Sequence, residues 1–308
     1  MSTLIQARNL GYSVANRNLF QALDLTINEQ EKIGLVGYNG TGKSTLLALL
    51  AGELSADDGE VTRRRNMVIA TVEQFLPESL HGLSLLMAAL DKLSPAIRET
   101  EAYRAEIVLG NLNFKTAEFD TPVSGLSGGQ QNRLMIARAL ISEPDLILFD
   151  EPTNHLDLTN LLLLENFLQE GYHGAFLMVS HDREMLDKVT NKTLFLRDQK
   201  IYSFDLPYTK ARQKLTEHDI AAAQRRESEE RKIESLRSSA KRLAMWGKVY
   251  DNEKLARKAK SMEKRVERME GEKTFVTRGH TMQLDLDTAE LRAKRVLHIE
   301  NKDITVAD

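Results

Sequence analysis

Gly37-Tyr38-Asn39-Gly40-Thr41-Gly42-Lys43-Ser44 fits the pattern G-x-x-x-x-G-K-[ST]. An apolar run, residues 32–36, precedes it, and a helix-forming run, residues 42–51, follows it. In that strand–loop–helix order, glycines let backbone N–H groups curl around phosphates without obstruction by side chains. The helix N-terminus adds the positive end of its dipole. Lys43 then reaches the outer phosphates and Ser44 offers a hydroxyl to Mg²⁺. Gly37, Asn39, Gly40, Thr41, Gly42, Lys43, Ser44 and Thr45 are therefore candidate phosphate contacts. A chance Lys-Ser after a glycine-rich turn is the competing reading, and eight fitted positions in the required context count against it.

Further along, Leu146-Ile147-Leu148-Phe149-Asp150-Glu151 reads as a buried strand ending in two carboxylates. Asp150 is placed to hold Mg²⁺ through water, and Glu151 to polarise an attacking water. Standing alone, the run would read as a strand ending at an acidic helix cap. Around these segments, residues 1–206 alternate strand-like and helix-like stretches. Strands are predicted at 4–7, 23–27, 32–36, 61–63, 68–72, 146–149, 175–179, 193–197 and 200–204, with helices at 42–51, 129–142, 159–170 and 183–189. Residues 80–118 read as mostly helical, with Leu85, Leu86, Ala89 and Leu93 near helical spacing. Such alternation predicts an α/β domain with a largely parallel core sheet.

The 308 residues leave room for about two domains. There is no cysteine, so disulfides, cysteine-bound metals and cysteine nucleophiles are excluded. The opening MSTLIQARNL lacks the apolar run of a signal peptide, and no stretch approaches the roughly 20 apolar residues of a membrane span. A cytoplasmic protein without a membrane domain is expected. The net charge of −3 hides a division. Residues 209–278 carry 20 basic and 12 acidic side chains, a net of +8 against −11 for the rest. A basic segment on an acidic body suggests an element that binds a polyanion.

That segment is proline-free from 209 to 272. Leu255, Ala259, Met262, Val266 and Met269 recur at heptad spacing, as do Ile233, Leu236, Ala240 and Leu243 before them. Two antiparallel helices joined near residues 245–252 are expected, with Gly247 and Asp251-Asn252 arguing against one continuous helix. Lys241, Arg242, Lys248, Lys254, Arg257, Lys258 and Lys260 crowd the proposed tip with Trp246 and Tyr250. Cations interleaved with aromatics suit a phosphate backbone and unstacked bases. A solvated coiled coil is the plainer alternative. After Gly279 the chain becomes strand-like again, and its close, VLHIENKDITVAD, is similar to its opening.

Leu126-Ser127-Gly128-Gly129-Gln130 precedes the predicted helix at 129–142 and lies between the phosphate loop and the Asp150-Glu151-Pro152 strand end. Here the sequence resembles the ATP-binding cassette superfamily, whose signature this pentapeptide matches. Gln74 matches the family's Q-loop glutamine, Asn154-His155-Leu156-Asp157 its D-loop and His181 its switch histidine. Tyr12 lies where the family places an adenine-stacking aromatic. The runs 151–157, 180–183 and 255–265 resemble the ABC-F branch, which carries two cassettes joined by a charged helical linker, lacks membrane domains and works mainly on the ribosome.

The resemblance implies an α/β P-loop ABC nucleotide-binding domain with a helical subdomain (1–206), a basic antiparallel helical hairpin linker (207–278) and the start of a second cassette (279–308). It implies an ATPase with Glu151, His181 and Lys43 as catalytic residues, and Mg²⁺ held by Ser44, Gln74 and Asp150. Ser127, Gly128, Gly129 and Gln130 would close the nucleotide of a second cassette, in the same protein or a second copy. Lys241, Arg242, Trp246, Lys248, Arg257 and Lys258 would contact ribosomal RNA or tRNA. Only 51 residues separate Gln74 from Leu126, little space for the arm that some ABC-F members insert there. Two rival readings remain at this stage: the ATPase subunit of a membrane transporter, and an RNA-binding regulator that holds ATP without turnover.

Overall fold

The computed structural model describes residues 2–15, 17–72, 76–94, 98, 102–154, 156 and 158–277. Gln74, His155 and Asp157, and the expected second-cassette start at 279–308, lie outside the described residues.

Two sheets share one core. β1 (Thr3–Val14) and β2 (Arg17–Asn28) form an antiparallel hairpin, joined on the other edge of β1 by β4 (Asp58–Arg63). The other sheet contains β3 (Lys32–Gly37), β5 (Ile69–Val72), β6 (Leu146–Asp150), β7 (Ala175–Val179), β8 (Lys192–Arg197) and β9 (Lys200–Phe204). Its order is β5-β6-β7-β3-β8-β9, parallel throughout except for the final β8–β9 pair. β6 and β7 are apolar along their length because both faces are covered. Alternate side chains enter opposite cores. Leu146 and Leu148 pack toward β1, β2 and the helix α1 (Lys43–Ala51), whereas Ile147 and Phe149 pack toward the remaining helices.

β1 and β2 each run for 12 residues, well past the short strands expected from their apolar cores. Asn9 and Ala22 take positive φ (48° and 52°), and the β1–β2 register shifts between Ala7 and Leu10. Such irregularities let the strands continue while interrupting the alternation that marks them in sequence.

Among the described residues of 80–118, the α-helical runs are α2 (Leu85–Leu90) and α3 (Ala102–Asn111); residues 95–97 and 99–101 lie outside the described residues. α2 stops before Leu93. Arg98 then donates to the freed carbonyls of Asp91 (2.7 Å) and Leu93 (2.9 Å). α4 (Gly128–Leu140) crosses this subdomain. Buried Arg138 donates to the Ala88 carbonyl, while Arg133 donates to the Leu112 carbonyl (2.8 Å) with its guanidinium 4.6 Å from the Phe114 ring centroid. α5 (Leu158–Asn166) is extended by a π-turn, Phe167–Gly171, whose Leu168 carbonyl accepts from Lys32 Nζ at 2.6 Å. α6 (Arg183–Val189) follows β7.

From Phe204 the chain turns into α7 (Tyr208–Val249), 42 residues long, and α8 (Glu253–Gly271). Tyr208, Ala211 and Leu215 root α7 in the main core. Asp187 on α6 accepts from Thr209 N (2.7 Å) and from its hydroxyl, and Arg197 pairs with Asp219. Ile233, Ala240, Ala259 and Val266 form the buried seam of the hairpin. The contacts run in opposite directions along the two helices: Gly247 faces Ala256, Arg237 pairs with Glu270, and Glu229 accepts from Thr274. Gly247 does not break the helix, which continues to Val249. A Cβ there would lie 3.1 Å from Ala256 N, so glycine serves close approach of the helices. The chain reverses at 250–252, with Asp251 at φ 45° and Asn252 Oδ1 accepting from Lys254 N (3.0 Å) as the cap of α8.

Candidate nucleotide-binding site

β6, β7 and β3 are parallel neighbours, so the loops after them emerge side by side at one edge of the sheet. That edge carries residues 37–43 after β3, 150–154 after β6 and 180–182 after β7. Ligands of parallel α/β sheets bind outside these carboxyl ends. β5 ends at Val72 beside Phe149 on the same edge, immediately before the undescribed residues 73–75.

In the first loop, Thr41 Oγ1 donates to the Tyr38 carbonyl at 2.8 Å, closing the turn. Lys43 Nζ donates to the carbonyls of Gly37 (3.0 Å) and Tyr38 (3.4 Å), so the ammonium is held within the loop. Gly42 caps α1 at φ 96°, and a Cβ there would meet the Phe20 ring at 2.9 Å. Tyr12 is paired with Phe20 across β1–β2, which brings this half-buried aromatic beside the loop. Asn39, Gly40 and Ser44 are exposed; Gly37, Thr41, Lys43 and Thr45 are half-buried.

Asp150 is the last residue of β6. Glu151 follows at φ 51°, with its N–H still bonded to the Val179 carbonyl (2.9 Å). Left-handed backbone is unusual for a glutamate and turns the chain sharply out of the strand. The Glu151 side chain is 13% exposed and that of His181 is 60% exposed, with His181 Nε2 3.2 Å from Glu151 Oε1. Glu151 Oε2 is buried and makes no hydrogen bond among the described residues. The hydroxyls of Thr153 and Ser180 lie 3.1 Å apart and stitch the two loops together, and Ser180 Oγ accepts from Asp182 N (3.0 Å).

Among the described residues, no group of three or more histidine or acidic side chains could cage a metal. Mg²⁺ with a nucleotide binds through one or two carboxylates plus substrate phosphates. Ser44 and Asp150 supply hard oxygen donors on this edge, and Glu151 Oε2 is a buried acceptor without a hydrogen-bond partner among the described residues.

Ser127 is the N-cap of α4. Its hydroxyl accepts from Gln130 N (3.3 Å), and Gln130 Oε1 accepts from Ser127 N (2.9 Å), a reciprocal capping box. Gln130 Nε2 also donates to Glu118 (3.0 Å). Gly128 has open space where a side chain would stand, whereas Gly129 packs against Asn160 of α5. One turn into α4, Asn132 Nδ2 donates to the Pro152 carbonyl at 2.9 Å. Sequence reading overlooked Asn132, Thr153 and Ser180, which adjoin recognised motifs but acquire partners only through folding.

The hairpin residues Lys241, Arg242, Trp246, Lys248, Arg257 and Lys258 are all exposed and lie on the α7–α8 hairpin, separate from the sheet edge.

Residues 20–154 match the family model described as ABC transporter. The probable ATP-binding protein YheS of Escherichia coli strain K12 is 36% identical over 63% of this chain and 34% of its own length. The putative ATP-binding protein YdiF of Bacillus subtilis strain 168 is 33% identical over 61% of this chain and 35% of its own length. The chain thus spans about a third of the length of these relatives. A nucleotide-free ATP-binding cassette from an ABC transporter superposes with a TM-score of 0.61 at 20% identity, covering 70% of this chain and 96% of that one. Fold and loops together define an ATP-binding cassette of the ABC ATPase class. Residues 20–154 are thus a domain of the ABC family, and the relatives are consistent with its ABC-F branch.

Proposed function

We propose that this chain is the ATP-hydrolysing N-terminal half of an ABC-F protein that acts on the ribosome in translation. The cassette would be residues 1–206, the hairpin linker 207–278 and the start of a second cassette 279–308. The observation that carries the reading is the pairing of a nucleotide-loop edge with a long hairpin rooted in the same core, whose tip exposes cations and aromatics. Trp246 is 52% and Tyr250 73% exposed there. Large exposed aromatics need a reason, and stacking on unpaired bases is one.

In this mechanism the loop 37–45 and Tyr12 hold ATP, and Lys43 neutralises its outer phosphates. Bound Mg²⁺, held by Ser44, Asp150 and Gln74, would supply charge neutralisation to the transferring phosphoryl group. Glu151 would accept a proton from the attacking water, and His181, whose Nε2 lies on Glu151 Oε1, would touch the γ-phosphate. Ser127, Gly128, Gly129 and Gln130 serve the nucleotide of a second cassette, so one cassette alone turns over slowly. Lys241, Arg242, Lys248, Arg257 and Lys258 bind RNA phosphates without reading sequence. The exposed basic hairpin favours this cytoplasmic, ribosomal reading over a transporter subunit; no helix among the described residues is long and apolar enough to cross a membrane.

The test is co-sedimentation of the full-length protein with ribosomes, with hydrolysis blocked by Glu151→Gln. Retention that depends on ATP supports the reading. Absence of ribosome retention, with co-purification of a membrane subunit instead, refutes it.

A further inference from the structure

We propose that Asn132 is a positioning residue for Glu151, tying the helix of the signature loop to the catalytic turn of the same cassette. The inference rests on the reading of Glu151 as the base. Glu151 occupies left-handed backbone at φ 51°, and its carboxylate has one oxygen on His181 and the other buried without a partner among the described residues. A side chain so placed does not hold its own turn. The turn closes on its own bond from Asn154 N to the Glu151 carbonyl (3.2 Å) and is held from outside by two contacts: Thr153 meets Ser180, and Asn132 Nδ2 donates to Pro152 O at 2.9 Å. Of these tethers, the one from Asn132 comes from α4, the helix that Ser127 and Gln130 cap.

The chemistry of Asn132 supports a role beyond packing. Its Oδ1 is buried and has no hydrogen-bond partner among the described residues. A buried amide oxygen without a partner is destabilising, and an apolar side chain of the same shape would remove that cost. It would also leave the carbonyl of buried Pro152 without its donor. The amide is therefore kept for the donor it supplies, which both satisfies that carbonyl and fixes the position of the turn. Because the signature loop serves the opposite nucleotide, this tether also links occupancy of one site to the aim of the base in the other.

Two near-isosteric substitutions in the full-length protein test this, alongside Glu151→Gln. Asn132→Asp sets a carboxylate oxygen against the Pro152 carbonyl. Asn132→Leu removes both the donor and the unpartnered oxygen; it is expected to fold, with a slightly lowered melting temperature because the Pro152 carbonyl loses its partner. Both should lower kcat by about 10–100-fold, the scale of a small misplacement of a catalytic group, while KM and nucleotide affinity stay at wild-type values. In the Glu151→Gln background, neither should lower single-turnover hydrolysis further. Wild-type kcat in both Asn132 variants, with Glu151→Gln inactive, overturns the tether alone. A full additional loss in the Glu151→Gln background also overturns it, as does a fall in ATP-binding stoichiometry that matches the fall in rate. Turnover retained by Glu151→Gln itself overturns Glu151 as the base, and the tether with it.

Discussion

At the sheet edge, Glu151 is 13% exposed and reaches His181 across 3.2 Å, within a mesh of backbone and hydroxyl contacts from three loops. At the hairpin tip, Arg257 is 82% exposed and pairs with Glu253 one turn away. The first region is organised before a ligand arrives; in the second, each cation stands on its own flexible stem. A preorganised site stabilises developing charge without reorganising, which suits chemistry. Separate exposed cations exchange counterions for phosphates one by one, which suits adhesion to a polyanion. Perturbing the edge should therefore change rates steeply, and perturbing the tip should change affinities in small steps.

The largest expected effect is at the edge. Glu151→Gln should keep ATP binding and reduce turnover on the order of 10²–10⁴-fold, because the amide cannot accept the proton of water. Lys43→Ala should instead weaken nucleotide binding itself. Equilibrium binding of a fluorescent ATP analogue, read beside phosphate release, separates the two. Wild-type turnover in Glu151→Gln would remove the contrast between the regions.

Next comes the hairpin seam. Ile233 is 3% exposed on α7, and Ile233→Ala should cost about 2–5 kcal/mol locally. The loss should open the far part of the hairpin in hydrogen exchange while ATP binding by the cassette is unchanged. Exchange rising equally in β6 and β7 would mean that the two regions unfold as one.

A smaller effect is expected where they join. Arg197 holds the Asp219 carboxyl below its ordinary value of 3.8. A carboxylate with a depressed folded pKa contributes stability that is present above the unfolded pKa and lost as pH falls through the folded one. Protection of the first turns of α7 should therefore be constant above about pH 4 and decline below it. Asp219→Asn should remove that decline, as hydrogen exchange between pH 5 and 3 would reveal.

The smallest effect on stability belongs to the tip. Replacing Arg257 and Lys258 by Ala breaks at least one exposed i,i+4 ion pair and should shift stability by less than about 0.5 kcal/mol. The same change should flatten the salt dependence of ribosome binding by roughly 1–2 logarithmic units. Trp246→Ala should weaken binding with little change in slope, since stacking releases no counterions. A flat salt response in the parent protein would leave the hairpin a spacer.

Much of the edge was legible in the chain because its chemistry is written as short runs. Gly42 must precede Lys43, Glu151 must follow Asp150, and the strand before each is an unbroken apolar stretch with both faces buried. The seam of α7 and α8 was legible for a similar reason, since heptad spacing is a property of one helix. Gly247 was misjudged because glycine breaks an isolated helix, yet here it admits the Ala256 backbone. The length of β1 and β2 was hidden by bulges at positions that read as turns.

The sequence by itself determined the phosphate loop, the carboxylate pair, the capped signature helix and the two apolar stripes of the hairpin, because each depends on neighbours within one element. Only the tertiary structure decided that Asn132 reaches Pro152, that Thr153 meets Ser180, that His181 lies on Glu151 and that Asp187 receives the start of α7. Those partners lie between 20 and 30 residues apart in the chain. No local periodicity brings them together: the parallel pairing of β6 and β7 carries the loops of Glu151, Thr153, Ser180 and His181 to one edge, while Asn132 and Asp187 find their partners through the packing of helices α4 and α6.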